Sequence, residues 1–199
     1  MADIKLAITE GLEDEIVIAE KVVLDSKFNT KSNIMHDNAV ECVAVINGTP
    51  VSVPCGKSVD FANGKKVPRN ANVEIYLYRA LNTLGCVGTQ VKTAEYVIRT
   101  SWSCTFRIDD VARLVAYINA NGGKLTDYTV ADTLRKNGDL KNILDREIKK
   151  KLAEVPAEDL TMYTGDIGRA LLERGGDSLM ELGINVISFT SNNMNVAQI

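Results

Sequence analysis

The sequence has little of the chemistry on which catalytic and metal sites depend. It contains one histidine, His36, and its four cysteines stand singly, without the C-x-x-C pairs of zinc and redox sites. A His/Asp or Cys/His catalytic arrangement would have to use His36, and the spacing of the sequence gives that no support. We therefore predict no catalytic residue, no metal ligand and no cofactor, and we interpret the cysteines as buried, reduced thiols.

Long apolar runs and an excess of basic residues are missing too. No stretch approaches the ~18 consecutive apolar residues of a membrane-spanning helix, and the N-terminus, "MADIKLAITEGLEDE", is acidic where a signal peptide would be basic and then apolar. The net charge of −3 disfavours a nucleic-acid surface. We expect a soluble, cytoplasmic protein without a nucleic-acid partner, and 199 residues that are 45% hydrophobic can bury a core.

The first half of the sequence has the residue pattern of β-strands. "AVECVAVING" (39–48) is rich in β-branched residues and ends at Asn47-Gly48, a dipeptide that suits the positive φ angles of a tight hairpin turn, after which "PVSV" is extended again. A second turn is predicted at "ANGKK" (62–66). The N-terminal "DEIVIAEKVVLD" fits neither the strand period nor the helix period cleanly, and we favour a strand there.

The period of the apolar residues changes inside "SWSCTFRIDDVARLVAYI" (101–118). Apolar residues occupy every second position up to Ile108, as in a strand with one buried face, and then follow helical spacing from Val111. Asp109 and Asp110 stand at the joint. We interpret this pair as a helix N-cap rather than an acid/base dyad, because a carboxylate accepts hydrogen bonds from the free amides of a first helical turn.

Helical spacing dominates the second half. The first helix is predicted to end at "NANGGK" (119–124), a second to open at Thr129 or Asp132 with an interruption near Asn137-Gly138, and a third to start at "VPAEDL" (155–160). After Gly183, "INVISFTSNN" (184–193) alternates as a closing strand. The order predicts an α+β fold: an antiparallel-rich sheet in the N-terminal half, three helices packed on it, and a closing C-terminal strand that pairs with the sheet of the first half.

One cluster of basic residues is a candidate interaction surface. Lys149, Lys150 and Lys151 lie beside Arg146 on a predicted helix, next to several acidic residues. A solvated helix face is the simpler interpretation of this pattern, and contact with anionic lipid headgroups is the alternative.

The order of elements and several segments resemble the SPFH or band-7 (stomatin and prohibitin homology) domains, in particular the soluble branch labelled virion core protein-like. The segments that carry the resemblance are "CVAVINGTPVSVPCGKSV", "VEIYLYRALNTLGCVGTQ", "CTFRIDDVARLV" and "LMELGINVISFTSNNM". Val111 departs from the proline that the family has after the aspartate, and Cys86-Val87 replaces an aromatic residue before Gly88. The resemblance divides the chain into an N-terminal strand or arm (1–26), an SPFH-like domain (27–193) and a short tail (194–199).

The resemblance implies a non-enzymatic, oligomerising scaffold or adaptor that assembles side by side with copies of itself and contacts other proteins, with a membrane surface as a further candidate contact. Such assembly would place the contact with the next copy on the helical face that bears Arg146, Lys149 and Lys150, or on an exposed sheet edge. An alternative function is a small-molecule or peptide-binding module that uses a cleft between sheet and helices. A third is a thiol hydrolase that uses Cys86 in "LGCVGT", for which His36 is the one imidazole available as a base.

Overall fold

A computed structural model of the chain describes residues 3–11, 14–24, 29–60, 65–68, 70–136 and 139–199. The turn predicted at 62–66 and the helix interruption predicted at Asn137-Gly138 lie mostly or wholly outside the described residues. The strands are β1 (Asp3–Lys5), β2 (Val17–Val22), β3 (Asn33–Met35), β4 (Val40–Ile46), β5 (Thr49–Ser52), β6 (Val73–Arg79), β7 (Leu81–Lys92), β8 (Tyr96–Ile108), β9 (Lys124–Thr126) and β10 (Ile184–Gln198). The helices are α1 (Val111–Ala120), α2 (Asp127–Lys136), α3 (Asp139–Leu152) and α4 (Thr164–Arg174), with 3₁₀ helices at Ala157–Tyr163 and Asp177–Leu182.

The predicted α+β class is confirmed. The chain forms two compact units, one of residues 1–81 with 108–127 and one of residues 82–107 with 128–199. The first unit holds a five-stranded sheet in the order β5-β4-β6-β2-β9, whose paired strands are all antiparallel. In the same unit β1 pairs with β3 in parallel.

The predicted hairpin at Asn47-Gly48 is confirmed. Ile46 pairs with Thr49, and Asn47 and Gly48 have φ angles of 49° and 84°, which are the two positive values that a type I′ turn requires. Glycine supplies the second of these at no steric cost, and asparagine tolerates the first better than most residues. The turn therefore fixes the register of β4 against β5.

Both faces of the central strands of this sheet are buried. Ile75 and Leu77 of β6 point into an apolar cluster with Cys42, Ala44 and other residues, while Tyr76 lies on the opposite face, where its hydroxyl reaches Asn119 of α1. A strand buried on both faces loses the apolar/polar alternation by which a half-buried strand is recognised.

The Asp109-Asp110 joint is a helix cap, as predicted. Asp110 is the N-cap of α1, and its Oδ1 accepts a hydrogen bond of 3.0 Å from the amide of Arg113. At the other end, Gly122 and Gly123 have φ angles of 80° and 89°, and the Gly123 amide donates to Ile118 O. The chain then enters β9, a short strand beside β2 that the sequence pattern did not predict.

The second unit holds a three-stranded sheet in the order β10-β8-β7. Ile199 N donates to Glu95 O, and Ser103 Oγ donates to Asn192 Oδ1 (2.9 Å), so β10 runs antiparallel to β8. On β8 every even position from Ile98 to Ile108 is buried, whereas the odd positions are partly or fully exposed. β8 is thus one strand with a single buried face.

Three predictions for the second half need correction. The second helix begins at Asp127, before Thr129 or Asp132, because Asp127 N donates to Ile16 O and its carboxylate accepts from Ile16 N. The third helix, predicted to start at 155–160, is α-helical only from Thr164 to Arg174, because the flanking segments Ala157–Tyr163 and Asp177–Leu182 are 3₁₀. The closing strand begins after Gly183, whose φ is 77°, and pairs with β8 of the first half as predicted, although the strands of the first half do not form a single sheet. It extends to Gln198, through the predicted tail.

Candidate functional site

The four basic residues predicted as an interaction surface all lie on α3, and ion pairs engage three of them. Arg146 Nη2 lies 2.8 Å from Glu147 Oε1, and Lys149 Nζ lies 2.8 Å from Asp145 Oδ2. Lys150 is exposed and has no ion pair within the described part of the chain. The carboxylates that pair with Arg146 and Lys149 alternate with them along α3.

Lys151 is turned away from the other three. Its ammonium lies 3.2 Å from Glu154, 3.6 Å from Asp166 and 4.9 Å from the centre of the Tyr163 ring, and its side chain is 20% exposed. The hydrogen bond to Glu154 is the main cause that raises the pKa of Lys151. The structure therefore does not bring Arg146, Lys149, Lys150 and Lys151 together as one free cationic surface.

His36 is the residue of the thiol hypothesis whose side chain the structure describes. The two ring nitrogens of His36 lie 3.0 Å from the carbonyl oxygen of Asp37 and 3.4 Å from that of Val53. Cys42 and Cys104 are buried, as predicted, and burial raises the pKa of each to about 12, so both are weak nucleophiles. Cys55, which was also predicted to be buried, is exposed. The Cys86 side chain lies outside the described part of the structure.

A polar network joins three elements of the first unit. Lys21 of β2 pairs with Glu74 of β6, and the Tyr76 hydroxyl lies 2.8 Å from Glu74 Oε2 and 2.9 Å from Asn119 Oδ1. The hydrogen bond from Lys21, followed by that from Tyr76, lowers the pKa of Glu74, and the bond to Glu74 raises that of Lys21. The network ties the end of α1 to the sheet.

The most distinctive surface of the second unit is the outer edge of β10. In the sheet order β10-β8-β7, no strand of the described chain lies on the far side of β10. Residues 184–199, "INVISFTSNNMNVAQI", contain no Asp, Glu, Lys, Arg, Pro or Gly. At the average of 25% charged residues, a segment of this length would carry four. A search of the sequence for charge-free segments could have found this feature.

Absence of charge matters at an edge because proteins usually protect edge strands. Charged side chains, proline, bulges and short length are the common devices against pairing with another chain. Both edge strands of the five-stranded sheet are protected in this way. β5 contains Pro50, and β9 is three residues long and contains Lys124. β10 is fifteen residues long with neither charge nor proline.

Packing from within its own unit holds β10 in place. Ile184 and Phe189 are buried, and α4 approaches so closely that a Cβ at Gly168 would lie 2.7 Å from Phe189 O. The side chains of Asn193 and Asn195, by contrast, are exposed. The strand therefore offers a fixed row of backbone groups beside uncharged polar side chains.

The comparisons with known proteins add no family to this description. No model of a known protein family matches the chain, and no curated protein is significantly similar to it. Within the described residues, no helix is both long and apolar enough to cross a lipid bilayer, and no group of three or more His, Cys, Asp or Glu side chains could hold a metal ion.

Proposed function

We propose that this chain is a non-enzymatic scaffold or adaptor domain of the SPFH or band-7 type that assembles with copies of itself through the edge of β10. The observation that carries the proposal is the long, charge-free outer edge of that strand. Every second residue of an edge strand directs its N–H and C=O away from the sheet, and a strand from another copy would satisfy these groups.

The opposite edge of the same sheet supports assembly side by side. β7 has twelve residues, of which Lys92 alone is charged, and it contains no proline. A sheet with two long, weakly protected edges can be extended by a further copy at either edge. Contacts with other proteins would use surfaces that such an assembly leaves free.

The alternative, a ligand-binding cleft between sheet and helix, has less support. A hollow lies between the β7–β8 turn at residues 93–96 and the end of α3 at Lys149, Leu152 and Ala153. Its volume is about 260 Å³, below the ~300–1,000 Å³ of most small-molecule sites. The β10 edge is therefore the stronger candidate.

The solution mass of the purified chain tests the proposal. We expect a mass above the 21.7 kDa of one chain, measured by sedimentation or light scattering over a range of concentrations. Asn193→Lys and Asn195→Lys should each shift the mass towards 21.7 kDa, because a lysine on an edge strand must be desolvated, or meet its equivalent, when strands pair.

Asn142→Lys is the matched control, since Asn142 is exposed on α3 and the substitution makes the same change of charge. It should leave the mass unchanged. A wild-type chain that remains a monomer at high concentration would contradict the proposal. So would a mass that Asn193→Lys and Asn195→Lys leave unaltered while circular dichroism shows them folded.

A further inference from the structure

The hydrogen bonds of the β4–β5 hairpin decide which groups of β5 face outwards. Val53 N donates to Cys42 O (2.9 Å), so Cys42 and Val53 form a hydrogen-bonded pair. Because such pairs alternate along an antiparallel ladder, Ala44 bonds with Val51. The backbone groups of the residues between, Pro50, Ser52 and Pro54, therefore point away from β4.

This outer edge has one complete pair of hydrogen-bonding groups. Proline has no N–H, so Pro50 and Pro54 present no donor. Pro54 O already accepts from Lys57 N (3.0 Å) across a turn in which Gly56 has a φ of 77°. Ser52 alone offers both N–H and C=O. The two prolines block the continuous strand pairing that we propose for β10 and leave room for one paired residue.

A groove lies along this edge. It has a volume of about 480 Å³ and is lined by Pro50, Val51, Ser52, Pro54, Lys57, Ser58 and Asp60. Ile34 N donates to Lys57 O (2.9 Å) and Gly56 N donates to Ile34 O (2.7 Å). These backbone hydrogen bonds hold the segment that carries Lys57 against β3.

The two charged residues of the groove, Asp60 and Lys57, differ in their contacts with the rest of the protein. Asp60 Oδ2 accepts a hydrogen bond from Ser58 Oγ (3.2 Å). Lys57 has no ion pair with any residue that the structure describes. A carboxylate placed in the groove would complete the hydrogen bonding of the ammonium at the cost of some repulsion from Asp60.

We propose that this groove binds an extended peptide segment of a partner protein, with one residue paired to the backbone of Ser52 and a carboxylate side chain held by Lys57. The proline rings on either side contact the flanking residues of the peptide but give it no hydrogen-bond donor. This site lies on a different sheet from β10 and is independent of self-assembly.

Nuclear magnetic resonance with a defined peptide tests the site. The probe is acetyl-Val-Thr-Glu-Thr-Val-amide, and its neutral counterpart carries Gln in place of Glu. We expect titration to shift the amide signals of Ser52, Lys57 and Ser58, and the Gln peptide to bind about tenfold more weakly, since a charge-assisted hydrogen bond is lost.

Four variants separate the contribution of the Ser52 backbone to peptide binding from those of the Lys57 and Asp60 side chains. Ser52→Pro removes the outward N–H without breaking the hairpin ladder and should abolish binding, whereas Ser52→Ala keeps the N–H and should bind like wild type. Lys57→Gln should remove the preference for the Glu peptide, and Asp60→Asn should increase it because the repelling carboxylate is gone.

Shifts confined to other residues, or none at millimolar peptide, would overturn the proposal. Equal binding by the Ser52→Pro and Ser52→Ala chains, with both shown to be folded, would do so too. The solution mass of these variants reports on β10 separately, so failure here is distinguishable from failure of the proposed self-assembly.

Discussion

Gly168 of α4 packs against Trp102 of β8 with no room for a side chain. A Cβ at this position would lie 3.4 Å from Trp102 Cζ3 and 2.7 Å from Phe189 O. The second distance is below any normal contact and involves backbone, which cannot rotate away. The absence of a side chain at Gly168 thus sets how closely α4 approaches β10.

Gly168→Ala should lower the free energy of unfolding by about 1–3 kcal/mol, because relief of the contact must displace the helix or the strand. Gly165→Ala is the matched control: it lies on the same helix with nothing within 4 Å of an added Cβ. It should leave stability unchanged or raise it by up to about 1 kcal/mol through helix propensity. Urea denaturation measures both, and equal effects would refute the close packing.

The cap at Asp110 can be tested in the same way. Asp110→Ala removes the acceptor of the Arg113 amide and should cost ~1 kcal/mol of stability, whereas Asp110→Asn keeps a capping oxygen and should cost less. Neither change should alter self-association or peptide binding. Loss of a function at normal stability would mean that the carboxylate does more than cap α1.

The Lys21–Glu74 pair predicts a dependence of stability on pH. The pKa of Glu74 is lowered below its ordinary value of 4.5, so its contribution is complete above pH 4.5 and is lost as the pH falls through the folded-state pKa. The side chains of Lys21 and Glu74 are 36% and 25% exposed, so screening limits the effect to roughly 0.5–1 kcal/mol.

Glu74→Gln should therefore lower stability at pH 7 and differ less from wild type at pH 3. Thermal melting of both chains at the two pH values measures the difference. A stability gap that widened on acidification would show that Glu74 is not stabilised as the charged form.

The sequence predicted the elements that are set by local physics. The Asn47-Gly48 turn and the Asp110 cap need only a few neighbouring residues, so their signals are complete in the sequence. β9 could not be predicted, because three residues show no period and pairing with β2, about a hundred residues away, makes them a strand. The assignment of the strands to separate sheets is equally non-local.

The candidate site likewise combines features that the sequence shows with features that depend on the folded structure. Helical spacing correctly placed the four basic residues, Arg146, Lys149, Lys150 and Lys151, on one helix, but it could not show that carboxylates pair with three of them. The absence of charge in residues 184–199 was visible in the sequence, yet its meaning depended on the position of β10 at an edge, which only the sheet order reveals.

The closing strand gives a test of the second unit as a whole. Deleting residues 184–199 removes Ile184 and Phe189 from the core, at about 1.5–3 kcal/mol each, and leaves the backbone of β8 without a partner on one side. We expect circular dichroism to show loss of β10 and its packed helices, and thermal melting to lose the transition of this unit. Deleting residues 194–199 alone should lower the melting temperature by a smaller amount, because these residues form the exposed end of the strand rather than a tail. If the longer deletion melted like the full chain, the pairing of β10 with β8 would be wrong, and the proposed assembly through its edge would fail with it.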